Sequence, residues 1–307
     1  MIVPAVMVAG GLVLLIVAGD ALVKGAVNLA LRLGIPALVV SLTVVAFGTS
    51  APELLVSVDA VLAGAPTLAL GNVVGSNTAN VLLVLGVPAL LAPMAVRHLD
   101  TRRDYAFMMG ATLLFVLLAM TGVMATASGL ISLAVLAAIL LATFFLSRDE
   151  DPDVEGADDA VGAWAIAGYL AAGLIGLPLG ANLLVNGATE IASAFGLSDA
   201  VIGLTLVAIG TSLPELATTV MAALRGRAEV ALGNVIGSNL FNLLAIMGIA
   251  ALVGPIPTAD VLDLDLWVMV GASVLMLPFV LRLTDIGRVW GIVLVGAYVA
   301  YMALILS

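Results

Sequence analysis

The sequence predicts an all-α polytopic membrane protein, with ten transmembrane helices built as two inverted five-helix repeats. Three observations carry that prediction. First, 63% of the 307 residues are hydrophobic and only 10% are charged, with a mean hydropathy of +1.28. Soluble domains carry about a quarter of their residues as charges, and many runs here reach the ~20 apolar residues that cross a bilayer. Second, those runs are apolar on every face, which excludes the alternating pattern of a membrane barrel. Third, Gly48–Pro93 and Gly210–Pro255 align without a gap at an offset of 162 residues, with 24 identities over 46 positions.

Taken in order, the apolar spans have approximate limits 3–31, 35–63, 67–93, 105–123, 128–146, 162–194, 198–224, 230–254, 266–282 and 288–306. The opening run, Met1 to Gly19, lacks the basic leader of a secretory signal, and a matching segment recurs before the second motif. The long hydrophilic stretch lies between the fifth and sixth spans, where Ser147–Asp159 holds seven of the 20 acidic residues. The chain therefore divides into a first repeat, 1–146 (motif 48–93), an acidic linker, 147–161, and a second repeat, 162–307 (motif 210–255). The offset extends beyond the motifs, since Gly34, Thr43 and Ala46 meet Gly196, Thr205 and Ala208.

Five spans per half is an odd number, so the second copy enters the bilayer from the opposite side. Inverted repeats of this kind place a substrate site at the midplane between them. Positive charge marks the cytoplasmic side. With both termini outside, the cytoplasmic loops hold Arg32, Arg97, Arg102, Arg103, Arg148, Arg225, Arg227, Arg282 and Arg288, which are all nine arginines. The opposite loops carry acids such as Asp199, Asp260, Asp263 and Asp265. The linker is then cytoplasmic, and the protein sits in the cell membrane.

The chemistry lies in what the two motifs share. Gly48, Thr49, Ser50, Pro52 and Glu53 match Gly210, Thr211, Ser212, Pro214 and Glu215. Gly71, Asn72, Gly75, Ser76, Asn77 and Asn80 match Gly233, Asn234, Gly237, Ser238, Asn239 and Asn242. Apolar positions drift between the copies while the polar and helix-breaking ones stay, the reverse of what a merely structural repeat keeps. An acid at the centre of a membrane helix costs ~2.5–3.5 kcal/mol even on mild scales. Glu53 and Glu215 are therefore expected to face a cavity and a counter-ion. The single lysine, Lys24, is expected to snorkel to the interface, so the counter-ion is a cation from solution.

Pro52 and Pro214 should free carbonyls four residues back, near Gly48–Thr49 and Gly210–Thr211, which membranes tolerate where a cavity is lined. Asn72, Ser76 and Asn80 repeat at helical spacing, as do Asn234, Ser238 and Asn242. The glycines at four-residue spacing allow close helix packing. Carboxylates, amides, hydroxyls and loosened carbonyls form an all-oxygen set that suits Ca²⁺, Na⁺ or Mg²⁺; Mg²⁺ fits less well because it keeps its waters. Other polar residues carry less. His98 sits in an arginine-rich loop. Asp149, Asp151 and Asp153 begin like an EF-hand loop, but Val154 and Ala160 stand where Gly and Glu are required.

GTSAPE with GNVVGSNTAN, and GTSLPE with GNVIGSNLFN, resemble the two alpha repeats of the cation/Ca²⁺ exchanger superfamily, in particular its prokaryotic sodium/calcium exchangers. The resemblance covers essentially the whole chain. It implies a core of the second, third, seventh and eighth helices, with the first and sixth sliding across it. It implies that Glu53 and Glu215 are the principal Ca²⁺ ligands, shared with Na⁺. Thr49, Ser50, Thr211, Ser212, Ser76, Ser238, Asn80 and Asn242 would complete the metal sites. Asn242 stands where potassium-dependent relatives carry Asp, which leans away from potassium coupling.

The expected function is thus a secondary antiporter that exchanges Ca²⁺ for Na⁺ by alternating access. Its partners are the two transported ions and the lipid bilayer, with no cofactor, no nucleic acid and no enzymatic activity. The alternative is a Ca²⁺/H⁺ exchanger of the same superfamily. A cation channel needs a continuous pore, which an inverted repeat argues against. An intramembrane metalloprotease needs an HExxH motif that one histidine cannot supply.

Overall fold

The computed structural model describes residues 2–146, 161–195, 208–258 and 264–306. The linker of 147–161 and the start of the expected seventh span therefore lie almost wholly outside the described residues. In the first half, helix α1 spans Ile2–Leu33, α2 Ala37–Thr49, α3 Ala51–Leu62, α4 Pro66–Leu91, α5 Arg102–Ala119 and α6 Thr126–Leu146. The second half supplies α7 Ala163–Ala194, α8 Ala208–Thr211, α9 Leu213–Leu224, α10 Ala228–Val253, α11 Leu264–Val280 and α12 Arg288–Leu306.

Among the described residues, six helices are long and apolar enough to cross a membrane, or seven if the bent pair α2 and α3 counts as one span. The rest of the ten expected spans fall short for visible reasons. Helix α5 opens on Arg102, Arg103 and Asp104, α11 is a shorter apolar helix, and the seventh span starts outside the described residues, leaving α8 and α9. The expected span over 35–63 breaks at Ser50, just before Pro52, and bends there by 43°.

Burial sorts the helices into two groups. In their most apolar stretches α4 and α10 are 78% and 89% buried, whereas α1, α6, α7 and α12 are 22–28% buried. The exposed side chains of the outer group are large and apolar, for example Val13, Ile131, Leu179 and Ile292. A face of that kind is stable only against hydrocarbon. The motif helices α4 and α10, which carry most of the polar residues, are the ones walled off from it.

Helices α1 and α7 pack along their length as an antiparallel pair. A Cβ on Gly11 would lie 2.6 Å from the Leu184 nitrogen, and one on Gly173 would lie 2.5 Å from the Leu22 Cβ. Small residues of this sort let membrane helices approach until their backbones touch. The loops repeat as well. Val123–Met124 (β1) pairs antiparallel with Ile256–Pro257 (β2), joining Met124 to Ile256, and Met94 bridges Ile286. Adding 162 to Met94 and Met124 gives Ile256 and Ile286, so one contact is made twice, each time between the halves.

Candidate cation-binding site

The two breaks share one geometry. Ser50 has φ −84° and ψ 6°, Ser212 has φ −84° and ψ 2°, and each precedes a helix with proline in its first turn. Proline is at home there because the missing N–H would have had no partner. Pro52 and Pro214 therefore begin new helices, α3 and α9, rather than kinking the middle of old ones. Glu53 and Glu215 fall in the first turn of those helices and are each only 1% exposed. The partial positive charge of the N-terminus favours a carboxylate at that point. Ser-x-x-Glu is also the capping-box pattern, yet neither serine caps its own helix.

Ser50 turns to the other half instead. The Ser50 hydroxyl donates to Glu215 Oε1 at 3.1 Å, and Ser238 reaches the same oxygen at 3.5 Å. Thr49 donates to Asn234 Oδ1 at 3.3 Å, and Asn80 Nδ2 donates to Asn239 Oδ1 at 3.1 Å. The chain continues past Asn80 and past Leu240 in π-helical turns, Asn80–Val84 and Phe241–Ile246. The first turn lies against α9 and the second against α3. Such turns widen the helix and are frequent where a helix serves a site.

Asn72 and Asn234 do a different job. Asn72 Nδ2 donates to the Glu53 carbonyl at 3.2 Å and to Ser57 at 3.0 Å. Asn234 Nδ2 donates to the Glu215 carbonyl at 3.3 Å and to Thr219 at 3.1 Å. The pattern holds at both ends of the 162-residue offset. These amides fix the backbone that presents each glutamate, with their donor groups turned away from the site.

A buried polar oxygen without a partner costs about 1–3 kcal/mol, and more if charged. Here such oxygens gather on the motifs. Glu53 Oε2, Glu215 Oε2, Asn80 Oδ1, Asn242 Oδ1, Asn77 Oδ1, Thr211 Oγ1 and Ser212 Oγ are buried without a hydrogen bond. Most are acceptors only, which is what a cation needs. Among the described residues no group of three His, Cys, Asp or Glu side chains converges, so a cation here would meet two carboxylates and neutral oxygens.

Of the predicted residues, Thr49, Ser50 and Asn80 hydrogen-bond across the halves to Asn234, Glu215 and Asn239, Ser238 bonds Glu215 within its own half, and Glu53 Oε2, Thr211 Oγ1, Ser212 Oγ and Asn242 Oδ1 are buried without a hydrogen bond. Ser76 is buried one turn before Asn80. Sequence reasoning left Asn77 and Asn239 out of the site set, although both stood in the repeated motif; Asn239 is the partner of Asn80. Lys24, expected to snorkel, keeps its side chain 42% exposed and its Nζ 3.1 Å from Asp20.

The two approaches to the site are unequal. A cleft of about 370 Å³, bounded by Pro52, Leu55, Asn182, Val185, Asn186 and Thr211 among others, leads down between α3 and α7. At the equivalent place between α9 and α1 the helices are in contact, and a Cβ on Gly19 would meet the Ala217 carbonyl at 3.1 Å.

A family model described as "Sodium/calcium exchanger protein" matches residues 3–146 and again 165–307. The chain belongs to the sodium/calcium exchanger family. It is 35% identical to the sodium/calcium exchanger MaX1 of Methanosarcina acetivorans, over 96% of each chain. It is 38% identical to a putative antiporter, CaxA, of Alkalimonas amylolytica over the full length of both. Among solved structures, the sodium-calcium exchanger NCX_Mj soaked with 2.5 mM Na⁺ and 0.1 mM Ca²⁺ superposes with a TM-score of 0.85, at 32% identity over 99% of this chain and 98% of that one. The exchanger is thus a multi-pass membrane protein of a family of cation/Ca²⁺ antiporters, with Na⁺ and Ca²⁺ as the substrates the family implies.

Proposed function

We propose that this exchanger moves Ca²⁺ against Na⁺ by alternating access, through ten spans arranged as two inverted repeats with both termini outside. The proposed ion ligands are Glu53 and Glu215, completed by Thr49, Ser50, Thr211, Ser212, Ser76, Ser238, Asn80 and Asn242. The observation that supports the reading is that both motifs carry buried oxygens without hydrogen-bond partners, Glu53 Oε2 and Asn80 Oδ1 on the first and Glu215 Oε2, Thr211 Oγ1 and Asn242 Oδ1 on the second. A second support is the cross-half network, which makes each motif part of the other's site.

Coupling follows from a shared charge. Two bare carboxylates crossing an apolar barrier are costly. With Ca²⁺ or several Na⁺ bound they are neutralised, and the site can occlude and change sides. A ligand shifts such an equilibrium only through its different affinity for the two states. Two carboxylates can also be neutralised by protons, which is the feature that favours the Ca²⁺/H⁺ reading.

One experiment separates them: ⁴⁵Ca²⁺ movement in proteoliposomes under imposed Na⁺, K⁺ or proton gradients. An inward Na⁺ gradient at constant pH should drive electrogenic Ca²⁺ efflux, while a pH gradient without Na⁺ drives little. Strong flux under the pH gradient alone transfers the function to proton exchange.

A further inference from the structure

The closed approach differs from the open cleft by more than helix position. Asp20 on α1 is hydrogen-bonded and ion-paired with Arg225, which follows α9, and Lys24 one turn on lies 3.1 Å from the same carboxylate. This cluster ties α1 to α9 where Gly19 packs against Ala217 and Met221. The 162-residue offset carries Asp20, Lys24 and Arg225 onto Asn182, Asn186 and Ala63. Asn182 and Asn186 keep the same one-turn contact, with Asn186 Nδ2 donating to Asn182 Oδ1 at 2.8 Å, but both are uncharged and border the open cleft. Ala63 offers no charge to reach across. The halves thus share the scaffold of a clamp and only one half has it charged.

The geometry points to Asp20, Arg225 and Lys24 as a latch that holds one mouth of the ion site shut and biases the exchanger toward the state open at the other mouth. The inference rests on the alternating-access reading. The α1–α7 pair is locked together along its length by glycine contacts, so it moves as one body. Docking α1 on α9 at one mouth lifts α7 off α3 at the other, which is the arrangement seen. For the pair to slide, the Asp20–Arg225 contact has to break. Its side chains are only 22% and 39% exposed, and in a partly desolvated setting an ion pair is screened less than at a wet surface. The neutral Asn182–Asn186 pair demands no such rupture when the other mouth closes. The latch makes the two half-cycles unequal although the repeats that line the ion site are nearly equivalent.

The chain has no cysteine, so single cysteines report each mouth cleanly. Met221→Cys reads the closed mouth beneath α1, and Leu55→Cys, 65% exposed in the cleft, reads the open one. In liposomes without Ca²⁺, Asp20→Asn and Arg225→Gln should each raise maleimide labelling at Met221→Cys about 2- to 5-fold, the range of an exposed to half-buried ion pair, and lower it at Leu55→Cys. The converse variant, Asn182→Asp with Ala63→Arg, installs the charges at the open mouth and should slow labelling of Leu55→Cys. Unchanged labelling in both sets overturns the latch, as does faster labelling at both mouths, which indicates general loosening. If Ca²⁺ and Na⁺ leave labelling at both sites unchanged in the protein with Asp20 and Arg225 intact, alternating access fails and the latch with it.

Discussion

The two motif breaks, at Ser50 and Ser212, agree to within a few degrees in backbone angles, yet their side chains end in different company. Thr49 and Ser50 donate to Asn234 and Glu215, while the hydroxyls of Thr211 and Ser212 have no partner. Asn80 is held by Asn239, but Asn242 and Asn77 are not held by each other. The backbone is therefore set by local sequence, which is the same in both copies. The hydrogen bonds are set by how the halves close on each other, which is not. Thr211 of the partnerless copy borders the open cleft, together with Ala51 and Pro52 of the bonded one. A site with one side satisfied and one side waiting is what a chain with two related conformations presents when it is seen in one of them.

The largest test asks whether the two carboxylates are equivalent in spite of this. Glu53→Gln and Glu215→Gln should each abolish Ca²⁺ flux, a loss of at least about 100-fold, because one remaining charge cannot balance a divalent ion in a low dielectric. Insertion should be preserved, since removing a charge from the bilayer interior lightens its cost. Asp149→Asn in the linker should leave flux near normal. Substantial ⁴⁵Ca²⁺ flux in either Gln variant would make that glutamate structural.

Orientation is the next all-or-none comparison. Gly64 and Gly226 are equivalent turn tips with φ of +77° and +68°, and Arg225 and Arg227 flank only the second. Cysteines placed singly at Gly64 and Gly226 should label from opposite faces of the membrane. Labelling of both from one face breaks the inverted-repeat reading.

Much of this was legible in the sequence because the informative residues are the ones a membrane penalises. Glu53, Glu215 and the repeated asparagines could be read by cost alone, and the family resemblance then supplied the ion. What sequence could not show was direction. Ser50-x-x-Glu53 reads as a local cap, and only the fold reveals that the serine serves the other half's glutamate. Asn72 and Asn234 lie at the right spacing to be ligands, but their donors hold the Glu53 and Glu215 carbonyls. Asp20 and Lys24 stand one helical turn apart, but Arg225 could not be paired with Asp20 by sequence, since the two lie 205 residues apart. Gly233 and Gly237 sit against the Leu38 and Leu42 carbonyls, while the residues that the offset places against Gly71 and Gly75 lie outside the described residues.

The supporting amides give a graded test. Asn234 is fully buried, donates to two oxygens and accepts from Thr49, whereas Asn72 is half-buried and makes the two donor bonds. Asn234→Ala should therefore cost about 2–3 kcal/mol and Asn72→Ala about 1 kcal/mol, read by thermal unfolding in detergent. Equal losses would mean that burial does not distinguish the two copies.

The smallest expected effect concerns the two loop bridges. At one end Thr258 donates through its N–H to the Gly122 carbonyl and through its hydroxyl to the Ala119 carbonyl. At the other, Asp285 accepts from the N–H groups of Val96 and Arg97 and from the Arg97 guanidinium. Burial alone would raise the Asp285 carboxyl, but those donors and the nearby charge outweigh it and hold the carboxyl below its usual range. A depressed carboxylate stabilises the fold at pH above its unfolded value, about 3.9, and that contribution fades as pH falls through the lower folded value. Asp285 is partly exposed and its charges are screened by solvent, so the contribution is about 0.5 kcal/mol. Asp285→Asn should therefore lower the melting temperature slightly at pH 7, with the gap to the unmodified protein narrowing below about pH 4. Thr258→Val removes a neutral bond and should lower it by the same amount at both pH values. A pH-independent gap for Asp285→Asn would show that the bridge near Met94 is held by its backbone pairing with Ile286 and not by the carboxylate charge.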